Sequence, residues 1–124
     1  MIYLDTHVIV WMYAGKIDKL TEQAKKLINR HELFISPIVR LELQYLYKIQ
    51  RITIKANEII LNLSDQIGLQ ICNKSFNTIV SGSFNLSWTR DLFDRIIVAN
   101  AAINHNTLVT KDQNILNNYE KAVW

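Results

Sequence analysis

Four short apolar runs, residues 1–4, 33–35, 69–72 and 107–110, alternate with stretches whose apolar residues recur at helical spacing. That alternation constrains the fold more than any other feature. Runs this short read as strands, the first of them buried, and strands joined through helices pair in parallel by crossovers. The expectation is an α/β architecture: a three-layer α/β/α sandwich around a central, mostly parallel sheet of four to five strands. Only Pro37 and three glycines punctuate the chain, and no Ser/Gly-rich linker or repeat interrupts it, so residues 1–124 read as one domain.

The intervening helices have recognisable signals. Residues 6–14 are largely apolar and Gly15 supplies a stop. Leu20, Ala24, Leu27 and Ile28 mark a helix over 21–29. Ser36 followed by Pro37 fits an N-cap and a first helical position, opening a helix whose apolar stripe is Ile38, Leu41, Tyr45, Leu46 and Ile49. Ile59, Ile60 and Leu63 define a helix over 55–67 that ends at Gly68. Phe76, Ile79 and Val80 suggest a short helix broken by Ser81-Gly82-Ser83. Helices over 91–104 and 112–119 follow, and residues 122–124 can add an edge strand.

Composition narrows the function. The 49% hydrophobic content supports a core without staples and leaves apolar surface for a partner. No run approaches the roughly 18 apolar residues of a membrane span. The chain does not open on a secretory signal pattern, and its single cysteine, Cys72, excludes an internal disulfide framework. The expected location is the cytoplasm. A net charge of +3 favours a polyanionic partner.

Against that basic background, four carboxylates stand at the ends of predicted elements: Asp5, Glu42, Asp94 and Asp112. Asp5 and Asp112 follow strands, Glu42 lies about one turn into the helix after the second strand, and Asp94 lies in the first turn of its helix. In parallel α/β sheets ligands bind beyond the carboxyl ends of the strands, so all four can converge there. Unpaired charges beside a core are costly unless a counter-charge gathers them. An all-oxygen set of this kind suits Mg²⁺ or Mn²⁺, and metal-assisted phosphoryl chemistry is the first use to consider.

Leu4-Asp5-Thr6-His7, Ser36-Pro37 leading to Leu41-Glu42, Asp91-Leu92-Phe93-Asp94-Arg95 and Leu108-Val109-Thr110-Lys111-Asp112 together resemble, in order and spacing, the PIN-domain ribonucleases. VapC-type toxins of type II toxin–antitoxin pairs are the nearest look-alikes, and the resemblance spans essentially the whole chain. It implies a PIN-like fold and a metal-dependent endoribonuclease that hydrolyses RNA phosphodiesters with metal-activated water. It implies Asp5, Glu42, Asp94 and Asp112 as the catalytic, metal-binding quartet, with Thr6 and Thr110 as polar companions and His7 and Trp11 as part of the opening motif. Asp5 and Asp94 are the expected direct ligands. Some relatives carry a further acid where this chain has Gln113, Asn114 and Ile115, so one or two ions are expected. The resemblance also implies a cognate VapB-type antitoxin, a homodimer, and operator DNA contacted only through the antitoxin.

Other residues have simpler readings. Asp91 is expected to cap its helix, with structure as its main role. Trp11 is read as core, and Trp88 beside Arg90 as the better candidate for stacking on RNA. Arg40, Arg90, Arg95 and Lys111 flank the acids and are candidate phosphate contacts. Cys72 needs no role beyond packing. Two alternatives compete: a non-catalytic PIN-shaped module that binds RNA or protein, and a phosphate-signalling receiver. The receiver lacks an acid after the third strand, where Cys72-Asn73-Lys74 stands.

Overall fold

The computed structural model describes residues Met1–Trp124. It contains strands β1 (Ile2–Leu4), β2 (Leu33–Ile35), β3 (Gln70–Ile71), β4 (Thr107–Val109) and β5 (Ala122–Val123). The helices are α1 (Thr6–Tyr13), α2 (Glu22–Arg30), α3 (Pro37–Lys48), α4 (Ala56–Ile67), α5 (Phe76–Ser83), α6 (Leu92–Ala102) and α7 (Gln113–Asn118). The strands form one five-stranded sheet in the order β3-β2-β1-β4-β5, and every pairing is parallel. The fold is the three-layer α/β/α sandwich expected from the alternation, and it agrees with the PIN-like fold that the resemblance implies. No helix is long and apolar enough to cross a membrane.

The strand order places a topological switch at β1. The chain moves outward on one side to β2 and β3, then returns to the other side for β4 and β5. Right-handed crossovers then put α1–α4 on one face and α5–α7 on the other. The packing agrees, since α1 rests on α3 and α4 while α5 rests on α6. α3 and α6 also meet, with the Tyr45 and Phe93 rings 5.8 Å apart. This joins the helix carrying Glu42 to the one carrying Asp94. The central strand β1 is entirely buried, and the core gathers Leu43 of α3, Ile59 of α4, Ile97 of α6 and Leu108 of β4 around it.

Several element boundaries follow the expected caps. Thr21 and Ser36 accept amide hydrogen bonds at the starts of α2 and α3. Gly68 closes α4 in the left-handed conformation, φ 70°, which suits a residue without a Cβ. Two expectations need correction. Ser81-Gly82-Ser83 does not break α5, which continues through Ser83. A Cβ added at Gly82 would meet the Ala99 Cβ at 3.9 Å, an ordinary van der Waals contact, so this position packs α5 against α6 without interrupting the helix. In α3, the residues that reach the core are Val39 and Leu43, whereas Leu41, Tyr45 and Ile49 of the expected stripe are exposed. A helix with two apolar stripes buries the one aimed at the sheet and leaves the other over an open groove.

This rotation has a measurable consequence. Leu43→Ala removes a side chain with no exposed surface and is expected to cost about 2–5 kcal/mol in urea unfolding. Leu41→Ala, at 57% exposure, is expected to stay within about 0.5 kcal/mol of wild type. Equal losses at the two positions would contradict the observed rotation of α3.

Candidate metal and phosphoryl-transfer site

The carboxyl ends of β1 and β4 open onto the switch point, where local hydrogen bonding fixes the acids. Asp5 caps α1, its Oδ1 accepting from the Thr6 amide at 2.7 Å. Its other oxygen accepts from the Thr110 hydroxyl at 2.6 Å. Thr110 Oγ1 in turn accepts the Asp112 amide at 3.0 Å, so one buried hydroxyl ties the ends of β1 and β4 together. Asp112 caps α7 through the Ile115 amide at 2.9 Å. Across the site, the Thr6 hydroxyl donates to Glu42 Oε1 at 2.5 Å. Thr6 and Thr110, completely buried, are therefore the orienting companions of two of the acids. Asp5 can both cap α1 and face the site because the chain turns directly from β1 into α1.

Asp5, Glu42 and Asp112 all lie within electrostatic reach of Asp94. The Asp94 carboxyl is pushed up to about 8 by burial and by the charges of Asp91, Asp5, Asp112 and Glu42. Asp5 is raised mainly by burial, against the opposing hydrogen bonds from Thr110 and Thr6. Glu42 is raised by burial too, with Asp5 and Asp91 adding repulsion and the Thr6 hydroxyl opposing it. No cationic side chain pairs with any of them, since the one ion pair in the protein joins Lys25 to Glu22 on the exposed face of α2. A cluster of negative charge without a counter-ion disfavours its own ionisation.

That donor set fits a hard divalent cation, being all carboxylate oxygen with unspent charge. As the side chains stand, no three of the acids form a ready ligand cage. Hydrogen bonds fix the orientations of Asp5, Glu42 and Asp112. Asp94, in the first turn of α6, makes no side-chain hydrogen bond of its own, so small rotamer changes are open to it.

The structure adds a residue that the sequence underrated. Asp91 caps α6 as expected, accepting from the Phe93 and Asp94 amides at 2.9 and 3.2 Å. Its charge is also the largest charge acting on Asp94, making it a fifth member of the cluster. Its signal was the three-residue spacing from Asp94, which puts both on neighbouring turns. The flanking cations divide. Arg95 donates its Nε to the Thr89 carbonyl at 2.7 Å, and Arg40 donates to Asn57 at 3.2 Å. Arg90 is exposed just before α6. Lys111 lies over the Trp11 ring, 5.6 Å from its centroid. Trp88, expected to be the stacking candidate, packs half-buried against the core.

A doubly wound parallel sheet with a carboxylate cluster at its switch point is an α/β protein whose acids stand where such folds bind their ligands. The chain belongs to the PIN-domain family, whose model matches residues 2–121. Two solved structures share its fold. A chain of a toxin–antitoxin complex from Klebsiella pneumoniae is 20% identical with a TM-score of 0.69, covering 100% of this chain and 97% of that one. A chain of VapBC2 from Rickettsia felis, solved bound to a DNA fragment from the promoter, is 22% identical with a TM-score of 0.65, covering 99% and 96%. No curated protein matches the sequence.

Proposed function

We propose that the chain is a metal-dependent endoribonuclease, the VapC-type toxin of a type II toxin–antitoxin pair. The observation that carries this reading is the convergence of Asp5, Glu42, Asp94 and Asp112 with no cationic partner at the switch point. Asp5 and Asp94 are assigned as principal ligands of Mg²⁺ or Mn²⁺, one ion or two, with Glu42 and Asp112 completing the set. A divalent cation held there supplies Lewis-acid polarisation of the phosphoryl oxygens and acidifies water. The residues of the chain do the rest. Thr110 and Thr6 hold Asp5 and Glu42 in orientation. Glu42 and Asp112, fixed by the Thr6 hydroxyl and the Ile115 amide, are assigned to orient the attacking water. Arg90 and Lys111 are assigned to the RNA backbone, and Arg95, anchored to Thr89, to the edge of the site.

An antitoxin of VapB type is the proposed regulator, acting in the cytoplasm. A groove of about 850 Å³ runs beside Glu42 and Asp91 and is lined by Leu41, Tyr45, Phe76, Phe84 and Leu92, all large, apolar and exposed. An apolar helix laid there would cover the unburied stripe of α3 and reach the acids. The likeness to chains solved in toxin–antitoxin complexes supports this partnership. Operator DNA would be contacted through the antitoxin, and a homodimer is the proposed assembly.

The lack of a ready three-carboxylate cage favours a second reading, a PIN-shaped module that binds without cutting. Incubating partner-free protein with total bacterial RNA separates the two. Discrete fragments in Mg²⁺ or Mn²⁺, absent with chelator, are expected of the nuclease. Intact RNA from folded, metal-binding protein would leave the binding module.

A further inference from the structure

On the α1 side of the acids, opposite the apolar groove, two lysines converge on one indole. Lys19 Nζ lies 5.5 Å and Lys111 Nζ 5.6 Å from the Trp11 ring centroid. The Trp124 ring, 5.8 Å away, and the His7 ring, 6.1 Å away, extend the aromatic surface. Trp11 is half-buried, with its body against the core, while Lys19, Lys111 and His7 are exposed. Neither lysine has an acidic partner within ion-pair distance. Each cation–π contact holds an exposed ammonium only weakly, and the two like charges repel. Such a pair awaits an anion.

We infer that Trp11, Lys19 and Lys111 form a subsite for single-stranded RNA beside the acidic cluster, one base stacking on the indole and the adjoining phosphates lying on the two ammonium groups. The identity of the ligand rests on the nuclease reading above; the site itself rests on the geometry. Its placement is continuous with the acids. Lys111 stands between Thr110, which binds Asp5, and Asp112. Trp11 lies six residues along the helix that Asp5 caps, a rise of about 9 Å. The acids themselves repel an RNA backbone, so the strand needs an anchor next to them. The groove on the other side is mostly apolar, and its one cation, Arg95, is engaged with Thr89. Stacking with flanking cations is how sequence-tolerant single-strand sites are built.

The test is equilibrium binding of a fluorescein-labelled, mixed-sequence oligoribonucleotide to the full chain in chelator, across a salt series. Lys19→Ala/Lys111→Ala is expected to weaken binding about ten-fold at low salt. It should also flatten the slope of log affinity against log salt by about 1.4, or roughly 0.7 for each single-strand phosphate no longer neutralised. Trp11→Leu is expected to weaken binding about ten-fold with the slope unchanged, because stacking releases no counter-ions. Trp11→Phe should restore most of that loss, and it decides the point if Trp11→Leu does not fold. A control pair on α2, Lys26→Ala/Arg30→Ala, should bind as wild type. Wild-type affinity and slope in the lysine pair, or wild-type affinity in a folded Trp11→Leu, would overturn the subsite. Cleavage assays on the same proteins separate the two readings. Wild-type protein that cuts with Mg²⁺ while the variants bind normally removes the subsite and keeps the nuclease. RNA binding that depends on Trp11 without cleavage in Mg²⁺ or Mn²⁺ keeps the subsite and removes the nuclease.

Discussion

Asp94→Asn is expected to lower kcat/KM for metal-dependent RNA cleavage by on the order of 10²–10³-fold, the scale seen when one group aimed at transition-state charge is removed. The same substitution is expected to raise the Tm of the metal-free protein. Asp94 stands among Asp91, Asp5, Asp112 and Glu42 with no cation to offset them, and its carboxyl is pushed up to about 8. An amide keeps the shape and removes the charge. The gain is a few degrees, after allowing for solvent screening of a group that is only partly buried. Loss of activity with gain of stability is the mark of a site kept for function against the preference of the fold. Asp5→Asn should lose cleavage similarly. Asparagine can still cap α1, but the oxygen that accepts the Thr110 hydroxyl becomes an amide donor in one rotamer and leaves Thr110 without its partner. Parallel thermal scans and cleavage kinetics check both. An Asp94→Asn protein with full metal-dependent activity would remove Asp94 from the site.

The metal-free protein is expected to lose stability as pH rises from about 4 to about 8, and Mg²⁺ or Mn²⁺ to restore it. The raised carboxyl of Asp94 sets the sign. Its folded proton affinity exceeds its unfolded one, so the folded state binds more protons between those limits and stability falls as they leave. The contribution is complete below the ordinary carboxylate range and lost once pH passes about 8. Asp5 and Glu42 shift in the same direction and reinforce it. A cation competes with those protons, so its stabilising effect should grow with pH. At a hundred times its Kd it would add about 2.7 kcal/mol. Scanning fluorimetry from pH 5 to 9, with and without metal, measures both slopes. A metal-free Tm that climbs across this range would contradict the acidic cluster as the dominant titrating unit, as would a metal effect that ignores pH.

The expected stability of Asp94→Asn shows why some of this site could be read from one dimension. Carboxylates at strand ends and in a first helical turn are visible in a sequence, because element boundaries are marked by Ser36-Pro37, Gly68 and the apolar runs themselves. The parallel sheet was legible for the same reason, since short strands separated by helices have the crossover connections that parallel pairing requires. Adjacency put Thr6 next to Asp5 and Thr110 near Asp112, but the acids their hydroxyls bond, Glu42 and Asp5, lie 36 and 105 residues away and only the fold brings them there.

What the sequence alone determined was the set of elements, the α/β class, and which acids end up at the carboxyl edge. Tertiary structure decided the rest. Which stripe of α3 enters the core depends on how the helix is rotated against the sheet, and Val39 and Leu43 took the place expected for Leu41 and Tyr45. Whether Asp91 merely caps α6 or also charges the site depends on the approach of α6 to α3, which the Tyr45–Phe93 contact marks. Whether Trp11 or Trp88 faces cations depends on where Lys19 and Lys111 arrive from distant parts of the chain. Periodicity and caps are local and survive in sequence. Helix rotation and charge proximity are set by packing between distant segments, and a single sequence carries no measure of those distances.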